Sequence, residues 1–221
     1  MEPWYIVIGL LASTGVLFLF SALTSRWVRA RRLLARAPRV AIADARDGQV
    51  VKVVGTLECA EEAPLEAPIS AHPCVRCEAR VYRDLGETLE ILAEEHLGQG
   101  TAWVVDQTGK ALIQLHESRV VLRSQTSDVE GEAISRRVGE LLERHGGKPR
   151  EAVSLRFQEA RLSPGDRVAV YGRCRFEPDP DPRAPRSTYR RYPARLTIVA
   201  PRRGTEALVT NDPALIRDAL E

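Results

Sequence analysis

Residues 163–172 read Ser-Pro-Gly-Asp-Arg-Val-Ala-Val-Tyr-Gly, and this stretch decides the fold. Pro164 and Gly165 stand where a type II turn needs a fixed negative φ followed by a positive one. The turn opens a strand over residues 167–176 with Gly172 inside it, and a glycine in that position marks a bulge or the bend of a closing barrel. Residues 49–58 repeat this grammar, with Val51, Val53 and Gly55. Between them, strands over residues 101–105 and 110–115 flank Asp106-Gln107-Thr108-Gly109, which carries Asp first and Gly last as a type I turn prefers. Val75, Cys77, Ala79 and Val81 alternate with Arg76, Glu78, Arg80 and Tyr82, and Val153, Leu155 and Phe157 alternate with Ser154, Arg156 and Gln158. Period two of this kind belongs to half-buried strands. Residues 195–200 complete the set.

Two helices interrupt the strands. Ser127-Asp128-Val129-Glu130 has the form of a capping box, Ile134, Val138, Leu141 and Leu142 share one helical face, and Gly146-Gly147 stops the run. Near the end, Asp212 is placed as an N-cap and Pro213 as a first helical residue, with Leu215, Ile216 and Ala219 as the apolar stripe. Residues 177–185 (EPDPDPRAP) suit an exposed loop. The order VxVxG, D-x-T-G hairpin, then P-G-D leading to VxVYG resembles oligonucleotide/oligosaccharide-binding (OB) barrels. The expected class is therefore mainly β, an OB-like barrel with one or two short helices.

The N-terminal part belongs to a different class. Residues 4–23 (WYIVIGLLASTGVLFLFSAL) contain no charge over 20 positions. As a helix they would span about 30 Å, the hydrocarbon thickness of a bilayer. Trp4 and Tyr5 at one end and Trp27 past the other suit the two interfaces. A secretory signal would carry base before the apolar run, but Met1-Glu2-Pro3 carries acid. Arg26, Arg29, Arg31, Arg32, Arg36 and Arg39 follow the span, so the expectation is a single-pass anchor with the N-terminus outside and the C-terminal domain cytoplasmic. The organisation expected is an anchor over 1–27, a basic juxtamembrane linker over 28–40, a β-domain over 41–213 and a short helix over 214–221.

Charge is segregated in the same way. The chain has 32 basic and 30 acidic residues, yet without those six arginines 26 basic groups face 30 acidic ones. A uniformly basic nucleic-acid-coating protein is excluded. Residues 183–203 hold Arg183, Arg186, Arg190, Arg191, Arg195, Arg202 and Arg203 with Tyr189 and Tyr192 and no acid. Arg186, Tyr189, Arg190, Arg191, Tyr192 and Arg195 form a candidate anion site for nucleic acid, through stacking on the rings, or for anionic lipid.

Four cysteines exclude a disulfide-dense scaffold. His72, Cys74 and Cys77 could hold zinc or form a redox pair, but Cys59 and Cys174 would have to complete a four-ligand site. On a continuous strand Cys74 and Cys77 would also point to opposite faces. Structural thiols are expected, with no metal and no cofactor. Nucleophile-elbow, P-loop and H-E-x-x-H patterns are all missing from the sequence, so no catalytic residue is assigned.

Ile42-x-Asp44-x-x-Asp47-Gly48, VxVxG, Ala67-Pro68-Ile69-Ser70 with Pro73-Cys74-Val75, VVDQTG, Glu159-x-x-Leu162-x-Pro164-Gly165-Asp166, Arg190-Arg191-x-Pro193 and Leu208 to Pro213 follow one another in an order that resembles the GIDE, or beside-a-membrane, domain. That module accompanies MULAN-type mitochondrial ubiquitin ligases and occurs alone in bacterial proteins. The resemblance implies a structural role for Gly48, Gly55, Pro68, Cys74, Asp106, Gly109, Pro164, Gly165, Asp166 and Gly172. The ligase members owe their activity to a C-terminal zinc-binding RING and carry a second membrane helix. Nothing after Cys174 supplies RING ligands, so ubiquitin transfer is not expected to carry over. Ligase members hold the domain in the intermembrane space, whereas the arginines here predict a cytoplasmic one. The function expected is a non-catalytic, membrane-anchored adaptor or sensor that binds a protein partner, with nucleic acid or anionic lipid as alternative ligands.

Overall fold

The computed structural model describes residues 26–60, 63–122, 125–128, 130–147, 155–179 and 194–216. In chain order these form α1 (Arg26–Arg36), β1 (Val50–Cys59), β2 (Leu65–Glu66), β3 (Pro73–Cys74), β4 (Arg76–Asp84), β5 (Leu89–Gly98), β6 (Thr101–Asp106), β7 (Gly109–Gln114), β8 (Ser118–Val121), β9 (Gln125–Asp128), α2 (Glu132–Arg144), β10 (Leu155–Leu162), β11 (Arg167–Pro178), β12 (Ala194–Val199), β13 (Ala207–Thr210) and α3 (Pro213–Ile216).

Five of these strands close a barrel in the order β1-β6-β7-β12-β11, with β11 returning to β1. Every barrel pair is antiparallel except β7 with β12. The inward alternation found in the sequence fills it: Val51, Val53, Leu57, Val104, Ile113, Val168, Val170 and Ile198 form one buried cluster. β13 and then β8 extend the sheet beyond β11. Gly55 and Gly172 lie where a strand passes from one neighbour to the next. β1 leaves β11 for β6 at Thr56, and β11 leaves β13 for β12 after Tyr171. A Cβ at Gly55 would collide with the Val105 carbonyl, so the backbones approach as only glycine allows.

The second layer is a four-stranded sheet, β5-β4-β10-β9. β4 and β5 come from the connection between the first two barrel strands, and β9, α2 and β10 from the connection between the third and fourth. They meet along β4 and β10, in register from Leu155 opposite Arg83 to Leu162 opposite Arg76. Ala79, Val81 and Ala93 on this sheet pack against Val138, Leu141 and Leu142 of α2. Gly146 (φ +77°) ends that helix, with Gly147 N–H donating to Leu142 O and Gly146 N–H to Glu143 O, a Schellman motif.

Three expectations change. Ser127 and Asp128 of the expected capping box lie in strand β9, and α2 starts at Glu132 behind Gly131. Pairing with β10 supplies backbone partners that a local cap could not match. Residues 28–40 are not a plain linker. They hold most of α1, which lies on the outside of the barrel with Ala30 and Leu34 buried among Val54, Ala169, Leu208, Leu215 and Ile216. Third, β5, β8 and β13 are strands that the alternation did not mark. At the other end α3 begins as expected, capped by Asp212 Oδ1 accepting from Ala214 N–H at 3.0 Å. Among the described residues no helix is long and apolar enough to cross a membrane. The apolar stretch 4–23, Val153, Ala219 and residues 217–221 lie outside the described residues.

Candidate functional site

The motifs that drew attention in the sequence meet at the seams of the fold. Asp106 Oδ1 accepts from the amides of Thr108 and Gly109 and from the Thr108 hydroxyl, which shapes the β6–β7 turn. Its other oxygen accepts from Ile42 N–H at 2.9 Å, so the turn also holds the strap over residues 38–48. Asp47 Oδ1 accepts from Phe176 N–H, and Gly48 N–H donates to Cys174 O. In the P-G-D turn Gly165 has φ +90°, and Asp166 N–H donates to Ser163 O, as a type II turn requires. The Asp166 carboxylate accepts from Ser163 N–H at 2.9 Å and from Asn211 Nδ2 at 3.3 Å. The Glu159 side chain is only 3% exposed; it accepts from the amides of Ile69 and Ser70 beside Pro68 and lies 3.7 Å from the Arg161 guanidinium. The stretches singled out by resemblance are thus stitched to one another, at the strap on the barrel, at the P-G-D turn and at the β2–β3 loop on the second sheet.

The cysteines also lie at a seam. The chain bends at Val75, whose N–H donates to Leu162 O and whose side chain enters the barrel core. The bend cancels the strand alternation, so Cys74 and Cys77 do not face opposite ways. Both are wholly buried with Ala67. The S–H···S bond between them pulls Cys74 below the usual thiol range; the same bond, then burial and the nearby Glu159 charge, push Cys77 far above it. Cys174 sits in the barrel core, where burial and then Asp47 push its thiol up to about 11. His72 is exposed, with Nδ1 3.2 Å from Ser70 O. Among the described residues no group of three or more His, Cys, Asp or Glu side chains is placed to hold a metal ion.

The anion stretch divides. Pro178 faces Ala194 at the β11–β12 hairpin, so Arg183, Arg186, Tyr189, Arg190, Arg191 and Tyr192 lie on the connection between them, outside the described residues. Arg202 and Arg203 follow the far end of β12, about 20 Å away along a six-residue strand. Arg195 reaches Glu177 at 3.8 Å, and Glu177 also takes Arg175 at 3.3 Å and the Thr197 hydroxyl at 3.3 Å. That arginine neutralises an acid of its own barrel.

Sequence reasoning missed the outer barrel face that this hairpin borders. Glu58, Trp103, Leu112, Thr197 and Arg175 stand opposite one another across five strands, with Leu112 and Thr197 buried in the row and the other three reaching solvent. Lys110 Nζ lies 4.6 Å from the Trp103 ring centre, a cation–π contact. Beside this row, an open groove of about 690 Å³ runs along the β1–β6 seam between Arg39, Thr56, Glu58, Val105, Gln107 and Arg167. The signal was present: Ala102 and Val104 face inward, so Trp103 must face out. The arrangement can stack and pair with a ligand; no nucleophile with an adjacent base is assembled in it.

Of the juxtamembrane arginines, Arg31 pairs with Asp212 at 3.6 Å. Arg29, Arg32 and Arg36 are exposed on the side of α1 opposite Ala30 and Leu34. Comparison with family models, with curated proteins and with solved structures returns no match to this chain.

Proposed function

We propose that this chain is a single-pass, membrane-anchored, GIDE-like interaction module, non-catalytic, whose OB-like barrel presents its outer face to a partner beside the bilayer. One observation carries the reading. α1 begins three residues after the apolar stretch 4–23 ends and is packed onto the barrel through Ala30 and Leu34. An anchor built this way holds the domain at the membrane surface. The barrel order supports the OB-like assignment: numbered along the chain, its strands run 1-2-3-5-4 and close on 1, with 3 and 5 parallel, a five-stranded Greek-key arrangement. Crosslinking the intact protein in its own membrane and identifying the captured protein tests the partner. A reporter fused at Glu221 tests the side: activity confined to the cytoplasm is expected, and activity only outside overturns the orientation.

A second reading, nucleic-acid binding, is favoured by Trp103 and Lys110 lying on the face that ends at the arginine-bearing β11–β12 connection. It requires affinity for a single-stranded oligonucleotide that falls steeply with salt and weakens on Trp103→Ala. No binding at low salt eliminates it.

A further inference from the structure

Among the described residues five large apolar side chains are exposed, and two of them, Leu33 (47%) and Val50 (37%), sit together. They line a shallow groove of about 260 Å³ with Arg32, Arg36, Pro38 and Tyr171. Leu33 lies beside the stripe of Arg29, Arg32 and Arg36, which turns away from the barrel because Ala30 and Leu34 turn toward it. None of these three arginines makes an ion pair among the described residues, whereas Arg31, on the flank, is committed to Asp212. No acidic residue occurs between Glu2 and Asp44. Cations beside exposed leucine and valine match an interface of phosphates above hydrocarbon, since guanidinium groups pair with phosphate and the apolar tips need somewhere dry.

The chain on either side says what covers this patch. If residues 4–23 span a bilayer, three peptide steps separate the hydrocarbon edge from Arg26, a reach of about 10 Å. The headgroup layer on each side is only about 5–8 Å deep. Even at that full stretch the first turn of α1 starts within about 5 Å of the headgroup layer, and α1 is fixed to the barrel.

We infer that Arg29, Arg32 and Arg36, with Leu33 and Val50, form a bilayer-docking surface that takes anionic phospholipid headgroups and seats the barrel on the membrane in one orientation. The inference deepens the anchor reading above and rests on it. The tethering segment supplies proximity; this surface supplies the angle at which the outer face with Trp103 is displayed.

The test uses the full chain reconstituted in vesicles of phosphatidylcholine with or without phosphatidylglycerol. Nitroxide labels are placed through Leu33→Cys, Val50→Cys and, on the exposed β4–β5 turn, Leu85→Cys, over the background of the unsubstituted protein. With phosphatidylglycerol, labels at 33 and 50 should lose contact with a water-soluble nickel chelate and gain it with oxygen, while the label at 85 stays wet. Changing Arg29, Arg32 and Arg36 to Gln should lower the seated population about fivefold for each charge removed and abolish the lipid dependence. A label at 33 as accessible to nickel as the one at 85 overturns the proposal. So does protection accompanied by label–label coupling, which would mean that a second copy covers the patch. Extraction of the protein by alkaline carbonate would sink the anchor reading itself; resistance to extraction with a wet Leu33 label sinks only the docking surface.

Discussion

Gly172 and Gly48 are both demanded by the fold, for different physical reasons. At Gly172 a Cβ would stand 2.6 Å from Ile198 Cγ2 and from the Val199 carbonyl oxygen, and that oxygen cannot retreat without parting β11 from β12. Gly48 has open space but φ +77°. Gly172→Ala should therefore cost about 2–3 kcal/mol by overpacking. Gly48→Ala should cost about 1 kcal/mol, and Gly48→Asn less, because Asn tolerates the left-handed region. Urea midpoints at constant slope report both; equal losses would refute the distinction. Asp106 adds a pH dependence. Burial would raise its carboxyl, but the Thr108 hydroxyl and the amides of Ile42, Thr108 and Gly109 outweigh this and hold it below the ordinary carboxylate range. A depressed folded value gives stability that is complete above the unfolded value of about 4 and lost as pH falls through the folded one. Asp106→Asn should be destabilised at neutral pH, with the gap to the parent narrowing under acid. Urea titrations at the two extremes decide it, and a gap that stays constant would remove the charge from the explanation.

At the scale of elements, legibility followed how local the determining forces are. The β6–β7 hairpin and the P-G-D turn were readable because Asp106, Gly109, Pro164 and Gly165 act within four residues. The stripe of α2 was readable from Val138, Leu141 and Leu142. Its start was not, because residues 125–128 prefer a strand partner 30 residues away to a cap of their own. β13 is four residues long and buried on both sides, so it carries no alternation. α1 was hidden for a related reason: among its described side chains only Ala30 and Leu34 are buried against the barrel, too few for a stripe to stand out from five arginines. That economy makes Leu34 decisive. Leu34→Ala should cost about 2–4 kcal/mol and remove amide-exchange protection from residues 26–36. Leu33→Ala, at an exposed position one residue away, should change stability by under about 0.5 kcal/mol. If the two variants match, α1 is not held by the contact described.

The molecule as a whole is a barrel interrupted twice, with the interruptions completing each other. The five barrel strands were visible one by one, but the second sheet was not, since β4 meets β10 across 70 or more residues and no local pattern encodes a pairing so distant. The candidate site suffered likewise. An arginine run contiguous in sequence is divided by β12, while Trp103 and Arg175, far apart in sequence, share one face. Glu159 is the side chain that pins the β2–β3 loop to the second sheet. On the face of β10 that bears Leu155 and Phe157, a carboxylate is out of place unless something donates to it, and the amides of Ile69 and Ser70 do. Removing it leaves two part-buried donors without partners, a loss of about 1–3 kcal/mol. Glu159→Gln retains an acceptor oxygen and should recover part of that. If the carboxylate pins this loop, exchange of the Ile69 and Ser70 amides in the parent should proceed through the same opening as the β4 and β10 amides, with equal free energies. In Glu159→Ala those two amides should open earlier while β1, β6 and β11 keep their protection. A uniform drop in protection across both layers would show that Glu159 supports the whole fold equally and does not pin one loop.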